Sequence, residues 1–229
     1  FSGRVEAVSD VENQRLVGKK VAVFPLIPCR KCAQCKTGHY EMCENYDYIG
    51  SRRDGAFADY VAVPVWNLVE LDECVDFEEA AMMEPLAVAL HAIKQSGLKE
   101  GDSFAVVGTG MIAFAAAQWA KRKGASSVTI FGRSETKREL AEKIGDVEYR
   151  IAGANAEGFD VVLEAVGAPV SIEQSIKYTK AGGTLVLMGN PSGNIEMKQD
   201  VYWRILRKQL KLIGTWNSSY ESNKDCDWA

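Results

Sequence analysis

The sequence predicts an α/β fold in two parts: a β-rich first part, then a doubly wound parallel sheet covered by helices. Three observations predict it. Short alternating segments broken by Gly, Pro and Asp fill residues 1–75. From Gly101 onward, short apolar runs alternate with helical stretches. Between the first of those runs and its helix stands Gly108-Thr-Gly-Met-Ile-Ala113, a G-x-G-x-x-A turn.

In chain order, residues 3–8, 20–24 and 57–63 read as strands, and a cysteine-rich loop interrupts them. Near Phe77 the pattern becomes helical and alanine-rich, and Pro85 is predicted to kink that helix or start a new one. His91 sits on its apolar side and reads as a core residue. Residues 104–107 form a fully apolar run, as a buried parallel strand should. A helix over 111–123, a strand over 127–131, a helix over 134–143 and a strand over 160–164 follow. A helix over 171–179 and strands over 183–188 and 210–213 complete the alternation. Residues 143–159 are short for a strand plus a helix. The pattern changes near 93–97, which predicts one domain over 1–93 and another over 94–229.

The composition bounds the function. The chain has 229 residues, 47% hydrophobic and 25% charged, as globular proteins do. A net charge of −4 gives no basic footprint for nucleic acid. No apolar run approaches the roughly 20 residues of a membrane helix. No stretch reads as a signal peptide, and reduced cysteines at metal-like spacing suit a cytoplasm. The chain opens on Phe1-Ser-Gly-Arg-Val without an initiator methionine and stops at Asp225-Cys-Asp-Trp-Ala229, so we expect an interior piece of a longer chain.

Cys29, Cys32, Cys35 and Cys43 follow the spacing C-x2-C-x2-C-x7-C within one loop. Four thiolates close a tetrahedral zinc shell with no open position, which makes such a site structural. Two disulfides are the alternative, but cysteines so close in a tight loop rarely meet the geometry a disulfide needs. A redox C-x-x-C pair is a further reading. His39 lies in the same loop and reads as solvated, since four cysteines already complete the shell. Cys74 and Cys226 have no partners at metal spacing.

The glycine turn points to a dinucleotide. Gly108 permits the tight turn, Gly110 lets the backbone approach a pyrophosphate, and small Ala113 lets helix and strand pack closely. Met111 and Ile112 open the helix, whose N-terminal N–H groups and dipole suit phosphate oxygens. A ribose-binding acid is expected about 20 residues on, at the end of the next strand. Gly132 stands there instead, followed by Arg133 and Ser134. Room, positive charge and a hydroxyl suit a 2′-phosphate, so NADP is expected to bind better than NAD. An aspartate at 132 is then expected to swing the preference toward NAD.

Together, the cysteine loop, Glu84-Pro-Leu-Ala-Val-Ala-Leu-His, the glycine turn and Asp160-Val-Val-Leu-Glu-Ala-Val-Gly167 resemble the zinc-dependent medium-chain dehydrogenase/reductase family. The segments 46–60 and 205–216 resemble its polyol branch. The resemblance implies a GroES-like β domain, here N-terminally incomplete, followed by a Rossmann domain without the usual C-terminal return to the first. It implies hydride transfer between NADP or NAD and a polyol or polyol phosphate such as galactitol 1-phosphate. It also implies a catalytic zinc to which Glu84 is the family position present, the upstream cysteine and His-Glu pair not being in this chain. Without the resemblance, Glu84 reads equally well as a first-turn helix carboxylate. Val166, Gly167, Gly189, Asn190 and Trp216 match loops that face the nicotinamide and its ribose. The family further implies a homo-oligomer, dimer or tetramer. Arg52 and Arg53 are adjacent and could grip a substrate phosphate or line a solvated turn. Sorbitol- or threonine-like alcohols are alternative substrates. A zinc ribbon binding nucleic acid or protein is the alternative from another class, and the acidic balance weighs against it.

Overall fold

The computed structural model describes residues 1–156, 158–220 and 226–228. It divides into two compact units, Phe1–Ala87 with Asn217–Ala229, and Val88–Trp216. Asp225 and Ala229 of the C-terminal run lie outside the described residues. Among the described residues, no helix is long and apolar enough to cross a membrane.

The first unit contains β1 (Ser2–Arg4), β2 (Lys20–Val23), β3 (Leu26–Ile27), α1 (Ala33–Lys36), β4 (Asp47–Tyr48), β5 (Leu68–Glu70), α2 (Phe77–Ala81) and the start of α3 (Met83–Ser96). Strands β1, β2 and β5 form an antiparallel sheet with β2 in the middle, and β3 pairs with β4. Asp76 caps α2 by accepting from the Glu79 amide at 2.7 Å. Pro85 falls in the first turn of α3, where its missing N–H interrupts no helical bond. His91 is buried on the same helix, as the sequence predicts.

The strand expected over 57–63 is not formed. Val61 and Val63 pack on Val21, Val23 and Ile49, while Phe57 and Tyr60 stay exposed. Alternation decides which side chains are buried, but a strand also needs a ladder partner, and no described segment pairs here.

The C-terminal part also departs from expectation. The predicted division kept 94–229 together without a return to the first domain. Instead Tyr220 and Trp228 join the core of the first unit. Phe24 stacks on Tyr220 with centroids 4.4 Å apart and meets Trp228 edge-on at 5.4 Å. The Tyr220 hydroxyl donates to the Trp66 carbonyl at 3.0 Å. Each aromatic pair adds about 0.5–1.5 kcal/mol beyond simple burial, enough to recruit so short a segment.

The second unit is the doubly wound sheet. Its strands are β6 (Ser103–Val107), β7 (Ser127–Gly132), β8 (Glu148–Ile151), β9 (Phe159–Glu164), β10 (Thr179–Leu187) and β11 (Lys211–Gly214). Its helices after α3 are α4 (Met111–Arg122), α5 (Arg138–Ile144), α6 (Pro169–Tyr178) and α7 (Gln199–Arg207). All strand pairs are parallel, in the order β11-β10-β9-β6-β7-β8. After α5 ends at Ile144, the stretch up to β9 holds β8 but no further helix among the described residues, which explains its shortness. Phe104, Ala105 and Val106 are fully buried at the centre of the sheet. Buried Ala113, Ala116, Ala117 and Ala120 give α4 a flat face that can lie close to the strands.

Asp160 ties β9 to β6. Its carboxylate accepts from the Ser103 amide at 3.0 Å and the Ser103 hydroxyl at 2.6 Å, and it pairs with Lys180. Burial would raise its pKa, but the bonds from Lys180 and Ser103 outweigh that and bring it down to about 2. A carboxylate depressed in the folded state stabilises above its unfolded pKa and loses that effect as pH falls through the folded one. Asp160→Asn should therefore cost about 1–2 kcal/mol near neutral pH, after allowance for screening at the partly exposed Lys180. The difference should shrink between about pH 4 and pH 2. Urea titrations of both proteins across that range check this. A difference that is constant with pH would show that Asp160 acts through shape alone.

Candidate functional site

The cysteine loop folds into a cage. Cys32 caps α1 by accepting from the Cys35 amide at 3.5 Å, and the Cys29 amide points at the Cys43 sulfur from 3.2 Å. All four Sγ atoms lie within 4.8 Å of one another. The sulfurs of a tetrahedral zinc–thiolate centre stand roughly 4 Å apart, from bonds of about 2.3 Å, so the donor set and its spacing fit that metal. Backbone amides, that of Lys31 foremost, bring the Cys29 thiol down to about 6, and the amide of Cys35 foremost lowers Cys32. Burial pushes Cys35 up to about 12, so its thiolate needs a cation beside it. His39 does not join the cage. Its Nδ1 lies 3.4 Å from Glu41.

Among the described residues, this cage is the one group of three or more His, Cys, Asp or Glu side chains with ligand atoms close enough for a metal. Glu84 stands apart from it, in the first turn of α3. Its Oε1 accepts from the Tyr48 hydroxyl at 3.1 Å. Burial raises the Glu84 carboxyl, and the Tyr48 bond offsets part of that rise. Burial and the nearby Glu84 charge raise the Tyr48 phenol. Among the described residues, Glu84 is thus a carboxylate with no further His, Cys, Asp or Glu pair close enough to complete a metal site.

Arg52 and Arg53 have different partners. Arg52 lies 3.8 Å over the Tyr46 ring and donates to the Tyr46 carbonyl at 2.6 Å. Arg53 donates to Asp47 at 2.9 Å and lines a cavity of about 940 Å³ with Phe57 and Tyr60.

In the second unit the predicted cofactor residues fall on the carboxyl edge of the parallel sheet. Ligands of open α/β sheets bind at that edge, where the strand order reverses, here between β6 and β9. Gly108, with φ +131°, turns the chain off β6 against Ala165 and Val166 beyond β9. Gly110 caps α4 with open space where its side chain would be, and Met111 is half exposed. A phosphate can therefore reach the free amides of the first turn. Ala113 is buried beneath them. Gly132 ends β7, and Arg133 and Ser134 follow it, both exposed. Val166 and Gly167 follow β9, Gly189 and Asn190 follow β10, and half-exposed Trp216 follows β11. Gly167 and Gly189 touch through their backbones. The cradle fits a dinucleotide, with its glycines where the ligand or neighbouring backbone must come close.

Two residues of this edge were not foreseen as site residues. Glu164, only 1% exposed, accepts from the Val166 and Gly167 amides, both at 2.9 Å, and so shapes the loop after β9. Tyr149 sets the room at Gly132: a Cβ added there would lie 1.8 Å from its hydroxyl. An aspartate at 132 would have to displace that hydroxyl first, which bears on the NAD preference expected of it.

Family models match the chain over most of its length: zinc-binding dehydrogenase over residues 111–228, and the alcohol dehydrogenase GroES-like domain over residues 1–73. Galactitol 1-phosphate 5-dehydrogenase of Escherichia coli K12 is 33% identical over 227 residues, covering 94% of this chain and 66% of that protein. L-threonine 3-dehydrogenase of Caldanaerobacter subterraneus is 34% identical, covering 93% of this chain and 64% of that one. The chain thus spans about two thirds of the length of these relatives. The crystal structure of galactitol-1-phosphate dehydrogenase from Escherichia coli superposes with a TM-score of 0.90 at 32% identity, over 100% of this chain and 69% of that one. A Sinorhizobium meliloti protein solved with NADP superposes at 0.86 with 33% identity, over 96% of this chain and 68% of that one. By these matches the chain belongs to the zinc-binding dehydrogenase family.

Proposed function

We propose that the protein containing this chain transfers hydride between a nicotinamide dinucleotide and a polyol or polyol phosphate, with galactitol 1-phosphate as the model substrate. The glycine turn on the carboxyl edge of the sheet carries the cofactor half of this reading. The substrate half rests on the relatives, one of which is named for galactitol 1-phosphate. An unphosphorylated polyol or a threonine-like alcohol is the second reading, favoured by the 34% identity to a threonine dehydrogenase.

In this reading the α4 amides bind the pyrophosphate, with Gly110, Met111, Ile112 and Ala113 forming the floor. Arg133 and Ser134 take the adenosine 2′-phosphate, so NADP is preferred over NAD. Val166, Gly167, Gly189, Asn190 and Trp216 orient the nicotinamide, and Glu164 holds their loop. The cysteine cage takes a structural zinc. Glu84 is assigned to the substrate side, where it would lie near a catalytic metal. The ligands of that metal are not complete among the described residues. We assign the protein to the cytoplasm, where thiolates stay reduced, and as a homo-oligomer.

Turnover with galactitol 1-phosphate, sorbitol and threonine, each with NADP and with NAD, tests the assignment by the appearance of reduced nicotinamide. Faster turnover of the phosphorylated polyol supports it, and exclusive use of threonine replaces it with the second reading. Arg53→Ala should lower kcat/KM for the phosphate ester about 10-fold while leaving sorbitol within about 2-fold, the worth of one charge-assisted bond. Equal loss on both substrates would show that Arg53 serves only its pair with Asp47.

A further inference from the structure

The nucleotide-preference residues named so far lie on the turn after β7. The neighbouring strand supplies another. Tyr149 lies on β8 and is 5% exposed. Its hydroxyl donates to the Ser134 carbonyl at 2.6 Å. The same oxygen fills the space into which a side chain at 132 would project, with Thr109 Cγ2 of the glycine turn 2.9 Å from that point on another side. An acid at this strand end would pass through that space to reach the ribose hydroxyls. The tyrosine thus stands where that acid would be, but its donor group is turned inward, onto the turn that carries Arg133.

The surroundings fit this arrangement. Arg138 lies over the Tyr149 ring at 5.1 Å, donates to the Tyr149 carbonyl at 3.0 Å and pairs with Glu135. It is therefore occupied, whereas exposed Arg133 makes no ion pair among the described residues. The Ser134 hydroxyl is within 3.0 Å of the Thr136 hydroxyl. Burial raises the Tyr149 phenol, which keeps it a donor.

We propose that Tyr149 is a specificity-determining residue of the adenosine site: it excludes a ribose-binding acid at 132 and pins the 132–134 turn so that Arg133 and Ser134 face a 2′-phosphate. It does so as a positioning residue, acting through the turn. The proposal rests on the NADP reading above.

Calorimetric titration of the full chain with 2′,5′-ADP, 5′-AMP, NADP and NAD tests it without turnover. Tyr149→Phe keeps the ring and removes the bond to Ser134. It should weaken 2′,5′-ADP about 5-fold and leave 5′-AMP within about 2-fold, as one net hydrogen bond allows. Gly132→Asp should weaken all four ligands about 10-fold or more through the collision. Gly132→Asp combined with Tyr149→Ala should bind NAD and 5′-AMP about 10-fold better than Gly132→Asp alone, and should reject the 2′-phosphate ligands. Equal loss of 2′,5′-ADP and 5′-AMP in Tyr149→Phe, or no loss of either, overturns the pinning role. A double variant that binds 5′-AMP no better than Gly132→Asp overturns the steric role. If the unaltered protein binds 5′-AMP as well as 2′,5′-ADP, the NADP reading and the pinning role fall together, while the 5′-AMP comparison between the single and double variants still decides the steric role.

Discussion

Cys35→Ser should release the metal from the cysteine cage and lower the stability of the first unit by several kcal/mol, because a structural zinc contributes its binding energy directly to folding. Cys35 is the informative position. It is buried, and its thiol is pushed up to about 12, so it is the sulfur least able to ionise without a cation beside it. The cage also fixes local backbone, through the amides of Cys29 and Cys35 that face thiol sulfurs. Elemental analysis of the unaltered protein should give one zinc per chain, and thermal unfolding in a strong chelator should shift downward toward that of Cys35→Ser. Exposed Cys74, replaced by serine, is the control and should stay within about 0.5 kcal/mol. Purified protein without zinc, or with disulfides among the four, overturns the assignment.

What could be read in the sequence, and what could not, follows from which partner each residue needs. The glycine turn was legible because its partners are local: a strand before it and a helix after it. The cysteine cage was legible for the same reason, since all four thiols come from one loop. Glu164 was not, because its partners are the Val166 and Gly167 amides, which no side-chain spacing announces. Tyr48 was not, because it meets Glu84 across 36 positions of sequence. Strand β8 reads Glu148-Tyr-Arg-Ile, a short edge strand with one buried residue, too weak a pattern to reveal that Tyr149 fills the space at Gly132. The segment 57–63 erred the other way, with convincing alternation and no ladder partner among the described residues. Helix α7 packs Val201 and Ile205, one turn apart, on the core of the second unit and leaves Tyr202, Trp203 and Leu206 exposed, so apolar type alone does not tell which of its side chains face inward.

Gly189→Ala should be the most damaging single methyl in the second unit. A Cβ at 189 would lie 2.0 Å from the Gly167 amide nitrogen and 2.6 Å from the Glu164 carboxylate. The first neighbour is backbone, so no rotamer change relieves the overlap. The two loops are in close backbone contact on the other side as well, since the Cβ position of Gly167 lies 2.6 Å from the Asn190 carbonyl carbon. The two loops after β9 and β10 must separate, which pulls the Val166 and Gly167 amides off buried Glu164. Breaking that set leaves a buried carboxylate without its donors, and together with the overlap should cost about 3 kcal/mol or more. Gly193 lies in the same loop with nothing within 4 Å of its Cβ position, so Gly193→Ala should stay within about 0.5 kcal/mol. The melting temperatures of the two variants decide the matter. Because the affected loops carry Val166, Gly167, Gly189 and Asn190, nicotinamide mononucleotide binding should fall with stability in Gly189→Ala and remain in Gly193→Ala. Equal melting temperatures for the two would show that the loops separate freely and that Glu164 does not bind them together.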